Sequence, residues 1–151
     1  MQLIKDKHII DDTWHSLADD AELVSGDVCV SLSRFQANKA QLLAHSGKLG
    51  LRISPADSVA DFAADLDNIA LIELDFPDFA DGRLFSHAWL LRSRYGYQGE
   101  IRAAGNYMPD QVFYLSRVGV NAFKPAKAEQ LPVELGYLND FTAIYQASVV
   151  N

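Results

Sequence analysis

The chain carries a single cysteine, Cys29. That excludes an internal disulfide, a CxxC redox pair and an iron–sulfur cluster held by thiolates of this chain alone. No apolar run approaches ~18 residues, so no transmembrane helix is expected. Charges at Lys5-Asp6-Lys7-His8 stand where a signal peptide needs its apolar region. The expectation is a cytoplasmic protein without membrane contact. Basic residues are also scarce: 13 Lys and Arg face 20 Asp and Glu, a formal charge of −7. Nucleic-acid binders present a basic face, so that class is excluded. The four histidines, His8, His15, His45 and His87, show no metal-ligand spacing, and the glycines spell neither a P-loop nor GxGxxG. No metal and no evident cofactor are expected.

What is present suits one compact domain. The 151 residues are 49% apolar and 22% charged, and a chain of this length buries roughly 70% of the surface it exposes when unfolded. Leu3-Ile4 and Ile9-Ile10 around a polar turn read as an N-terminal β-hairpin. Residues 1–26 thus form a hairpin and acidic arm, the arm carrying Asp11, Asp12, Asp19, Asp20 and Glu22. Residues 27–151 form an α/β domain. Its strands are expected at Val28–Leu32, Leu49–Ile53, Ile69–Phe76, Glu100–Ala104 and Ala122–Lys124. Helices are expected at Phe35–Ala44, from Asp57 to Leu66, Arg83–Tyr95 and Asp110–Val118, with a last helix near the C-terminus.

Five strands alternating with helices predict an open, parallel, five-stranded sheet of three layers, flavodoxin-like or receiver-like, with strand order 2-1-3-4-5 and helices on both faces. Ligands of such sheets bind outside the carboxyl ends of the strands where the order reverses. The loops feeding that crevice supply Arg34, Asp75, Asp78, Asp81, Gly82 and Arg83. The plainer reading of Asp81 is a helix N-cap, and that of Arg83 a salt bridge to Asp78 or Glu100. Cys29, flanked by valines, reads as a buried inert thiol. Between Gly82 and Gly119 the chain carries Arg83, Arg92, Arg94, Arg102 and Arg117 against Glu100 and Asp110. This local excess of positive charge nominates Arg92, Arg102, Asp110 and Arg117, with the loop residues, as a ligand- or partner-binding set.

Two resemblances follow. Asp75 at the end of the third strand and Lys124-Pro125 after the fifth resemble the phospho-acceptor and Lys-Pro of response-regulator receiver domains. The acidic pair after the first strand is missing, and Ala103-Ala104 replaces the hydroxyl residue after the fourth. The resemblance therefore implies the fold, or a degenerate interaction domain, without a phosphorylation switch. A second resemblance covers nearly the whole chain. It rests on Leu3-Ile4-Lys5, Trp14 with Leu17-Ala18-Asp19-Asp20, the run from Phe76 to Arg83, Leu90-Leu91-Arg92, Gly99 to Ala103, Asp110-Gln111 and Ala122-Phe123. Through these the chain resembles the small bacterial family called domain of unknown function 934, whose members are described as probable oxidoreductases of sulfite reduction. The resemblance implies an accessory or electron-delivery protein of assimilatory sulfite reduction, with sulfite reductase or its electron donor as partner. A small flavin- or anion-binding oxidoreductase is the alternative, and a homodimer stays open. Many members carry Cys in an Arg-Cys-Gly-Phe stretch where this chain reads Arg117-Val118-Gly119-Val120.

Overall fold

In the computed structural model residues 1–77 and 82–139 are described. Strands β1 (Gln2–Lys5) and β2 (His8–Asp11) form the hairpin, turning on Asp6 and Lys7, both at positive φ. A two-residue strand β3 (His15–Ser16) follows. Then come β4 (Val28–Ser31), α1 (Leu32–Ala37), α2 (Lys39–Leu43) and β5 (Leu49–Ile53). Next are β6 (Leu71–Phe76), α3 (Arg83–Ser93), β7 (Glu100–Gly105), α4 (Val112–Arg117), β8 (Ala122–Pro125) and a helix α5 over 131–139. Where one helix was expected from Asp57 to Leu66, two short 3₁₀ helices stand at Val59–Asp61 and Ala63–Asn68, because their amides bond the carbonyl three residues back.

The eight strands form one mixed sheet in the order β2-β1-β8-β7-β6-β5-β4-β3. Strands β3 to β8 run parallel, and β1 joins β8 antiparallel. This corrects the expected open, flavodoxin-like sheet. From β4 to β8 each strand lies beside its sequence neighbour, so among the described residues the strand order does not reverse and there is no switch-point crevice. Right-handed crossovers that always step the same way put every helix on one face. The sheet curls as a result. Laid flat, eight strands at about 4.8 Å spacing would hold their edges about 34 Å apart. Yet Asp11 on one edge and His15 on the other are separated by Asp12-Thr13-Trp14, which span at most ~14 Å. The result is a half-barrel with residues 12–14 strapped across its concave side.

Burial follows from this geometry. On the convex face, Val28 and Val30, Leu51 and Ile53, Ile72, Leu74 and Phe76, Ile101 and Ala103, and Phe123 meet Phe35, Leu42, Phe62, Leu84, Ala88, Leu91, Val112, Leu115, Leu131 and Leu138 in one core. The alternate residues, Cys29, Ser31, Gly50, Arg52, Leu71, Glu73, Asp75, Arg102, Ala104 and Lys124, point to the concave face. Gly50 is needed there, since a Cβ would stand 3.2 Å from both the Trp14 ring and Leu71. On α5, Glu134 sits between Leu131 and Leu138 and is fully buried. Its Oε1 accepts the Tyr107 hydroxyl at 2.7 Å, and its Oε2 has no hydrogen-bond partner among the described residues.

Candidate functional site

The concave face carries charge where a sheet of this size would otherwise bury apolar groups. Register places Arg52, Glu73 and Arg102 side by side on β5, β6 and β7. Arg102, only 2% exposed, contacts three carboxylates: Glu100 at 2.8 Å, Asp12 at 3.4 Å and Glu73 at 3.7 Å. From β8, Lys124 donates to Asp12 Oδ2 at 2.6 Å, and from β1, Lys5 reaches across Ala122 to Glu100 at 3.3 Å. Arg52 donates to the Ser16 hydroxyl at 2.8 Å and the Leu17 carbonyl at 3.2 Å, which holds β3 in place. Asp12 also accepts the Trp14 amide at 3.0 Å. The network therefore closes the strap onto the sheet.

Two carboxyls respond in opposite directions. Burial pushes the Glu73 carboxyl above its ordinary range, against the pull of Arg102, Lys124 and Arg52 and with a push from Asp75. At Asp12 burial acts the same way. There the Lys124 hydrogen bond, the Trp14 amide and the charges of Arg102 and Lys124 outweigh it, and the carboxyl is held low. Burial also drives the Cys29 thiol far up, aided by Glu73, so it is not a nucleophile at neutral pH. Buried ion pairs add little net stability over apolar packing, whereas removing one partner of such a pair is costly.

At the carboxyl ends of β4, β5 and β6 the concave face opens into a cleft of about 200 Å³, lined by Ser31, Ser33, Arg52, Ser54, Asp57 and Asp75. Parallel βα units place their ligand-binding residues at this end of the strands. Ser54 donates its amide and hydroxyl to Asp57, and the Ser31 hydroxyl donates to Asp19 at 2.5 Å.

A second surface lies on the outside. On α3, Arg83, Ser86, Trp89 and Ser93 recur on the solvent side, with Trp89 55% exposed. Neighbouring α4 turns out Tyr114, 62% exposed, and Arg117. Arg92 on α3 clamps the loops that follow the two helices: its Nε donates to the Gly119 carbonyl at 3.0 Å, and Nη1 to those of Tyr97 and Gly99 at 2.8 and 2.7 Å.

The residues nominated from sequence separate accordingly. Asp75 lines the cleft, and Arg102 belongs to the concave network. Arg34 lies on α1, its Nη1 on the Ala18 carbonyl at 2.7 Å. Gly82 and Arg83 open α3, Arg117 ends α4, and exposed Asp110 lies in the turn before α4. Asp78 and Asp81 lie outside the described residues. No motif in the sequence marks Arg52, Glu73 or Asp12 as site residues, and Lys124 stands out there only for its receiver-like position. The legible signal is charge on β5 to β8, always on the same alternate face: Arg52, then Glu73 and Asp75, then Glu100 and Arg102, then Lys124. Lys124 reaches Asp12 and not Asp75, and the receiver-like strand order is absent.

Among the described residues no helix is long and apolar enough to cross a membrane. No curated protein matches the chain significantly. A sequence model for a family described as "bacterial protein of unknown function (DUF934)" matches residues 50–151. That match spans about two thirds of the chain, including most of β5, all of β6 to β8 and both exposed helices, and the chain belongs to the DUF934 family of bacterial proteins.

Proposed function

We propose that the protein is an accessory protein of bacterial assimilatory sulfite reduction that docks on an acidic partner of that system, the reductase or its electron donor. The observation that carries the docking reading is the outward face of α3 and α4. There Trp89 and Tyr114 stand more than half exposed, on helices that also carry exposed Arg83 and Arg117. Tryptophan, tyrosine and arginine dominate the energetics of protein interfaces, and arginines displayed by a chain of charge −7 favour a partner of opposite local sign. The sulfur role rests on the motifs through which the chain resembles its family. The flavin alternative leaned on a flavodoxin-like sheet, which the strand order removes.

The test is titration of the purified protein against the sulfite reductase holoenzyme and, separately, its electron donor. Wild type is expected to bind one of them, more weakly at higher salt. Trp89→Ala and Arg117→Glu are each expected to weaken binding at least tenfold without changing the thermal midpoint. Binding to neither protein, or wild-type affinity in both variants, would contradict the assignment.

A further inference from the structure

The sheet ends at β2, and no strand among the described residues lies beyond it. All four of its residues are exposed, including Ile9 at 39% and Ile10 at 38%, which stand on opposite faces of the strand. Edge strands are commonly guarded by a lysine, a proline or a bulge that blocks pairing with another chain. His8–Asp11 has neither lysine nor proline, and its register against β1 runs without a bulge. The opposite edge, β3, is only two residues long.

Parity decides which backbone groups of β2 face outward. Asp6 and Lys7 make a two-residue turn with both φ positive, so the flanking pair Lys5–His8 is hydrogen-bonded across the hairpin. Bonded pairs then alternate, and Leu3–Ile10 is the next. The Asp12 amide on the Met1 carbonyl at 2.7 Å keeps the same parity. The amides and carbonyls of Ile9 and Asp11 therefore point away from β1, toward an incoming strand.

A second copy of β2 running antiparallel matches this edge, and charge selects the register. A two-fold axis at Asp11 would set that carboxylate against its own copy, and like charges directly opposite destabilise a strand pair. An axis at Ile10 would set Ile9 against Asp11 of the second copy, and His8 against an Asp12 already held by Lys124 at 2.6 Å. An axis at Ile9 sets Ile9 on Ile9, His8 against Ile10, and Lys7 against Asp11 at both ends. Only this last register joins apolar to apolar at the centre and opposite charges at the ends.

We propose that the protein forms a two-fold dimer by antiparallel pairing of β2 with β2 of a second copy, centred on Ile9, with Lys7 of each chain opposite Asp11 of the other. Two strands of four residues cover less than the ~1,200 Å² of a standard interface, so the dimer dissociates in the micromolar range or above. The dimer goes beyond the docking reading and is independent of it, since the α3–α4 face shares no residue with β2.

Sedimentation equilibrium of the full chain from about 1 µM to about 1 mM is the test. Wild type is expected to pass from monomer to dimer within that range. Ile9→Pro removes an outward amide without touching the β1 ladder and is expected to weaken the dimer about tenfold or more. Lys7→Glu and Asp11→Lys each place like charges opposite one another in their own dimers, and each is expected to weaken association about tenfold. An equimolar mixture of these two variants restores opposite charges at both ends and is expected to dimerise like wild type. Both side chains are exposed, and unchanged thermal midpoints separate lost pairing from lost folding. A wild type that stays monomeric throughout, assembly beyond two chains, or a mixture no better than either variant alone would overturn the proposal. So would wild-type affinity in Ile9→Pro with loss in Trp89→Ala, which would move the contact to the α3–α4 face.

Discussion

Replacing Asp12 by Asn is the sharpest probe of how the half-barrel is held. The carboxylate is the shared counter-charge of Lys124 at 2.6 Å and Arg102 at 3.4 Å, on side chains 21% and 2% exposed. Stripping one partner from a fully buried pair costs about 3–5 kcal/mol. Here the loss is smaller, because Arg102 keeps Glu100 at 2.8 Å and Lys124 can turn toward water, so about 2–3 kcal/mol is expected. For a chain of this length each kcal/mol moves the thermal midpoint by about 2–4 °C, which gives a drop of roughly 4–12 °C at pH 7 by circular dichroism. The pH dependence adds a second signature. Asp12 titrates below its ordinary value in the fold, so its contribution is fully present above that value and is lost as pH falls through the depressed one. Asp12→Asn should therefore converge on wild type in strong acid. A variant within 1 °C of wild type at pH 7, or a deficit that does not shrink on acidification, would refute the account of the strap.

Two further predictions concern other parts of the molecule. Burial raises the Glu134 carboxyl to about 7 against a lowering hydrogen bond from Tyr107. A raised acid stabilises the fold below its unfolded value, and this is lost as pH climbs through the raised one. Glu134→Gln should therefore remove the decline in stability that wild type shows between about pH 4.5 and pH 8, and parallel curves for the two proteins would contradict it. Arg92→Ala removes three charge-assisted bonds to backbone carbonyls and should cost about 2–4 kcal/mol in urea unfolding. Exposed Arg94→Ala is the control at under 0.5 kcal/mol, and equal effects would show that Arg92 is no clamp.

The elements were largely legible in the sequence and their arrangement was not. Alternation of apolar runs such as Val28-Cys29-Val30 and Leu71 to Phe76 with amphipathic stretches marks βα units whatever order the strands take. Strand order depends on long-range pairing that local pattern does not encode. A discriminating signal was nonetheless present. A parallel sheet covered by helices on both faces reads as continuous apolar strands, whereas here Arg52, Glu73, Arg102 and Lys124 each interrupt one. Their common parity means one face is polar, which fits a half-barrel with helices on one side and excludes a three-layer sandwich. The three residues between Asp11 and His15 carried the matching constraint, but only once β2 and β3 were known to be opposite edges. Counting charge along the chain had a similar limit. Arg92 and Arg102 fall in the same basic stretch as Arg83 and Arg117, yet one clamps two loops and the other lies inside the sheet.

The role in sulfur assimilation is tested most directly by growth of a deletion strain of the source bacterium on sulfate, sulfite, sulfide or cysteine as sole sulfur source. Plasmids would carry wild type or the Trp89→Ala variant. Growth on sulfide and cysteine, failure on sulfate and sulfite, and rescue by wild type but poorly by Trp89→Ala is the expected pattern. Normal growth of the deletion strain on all four sources would contradict a role at the reductase step.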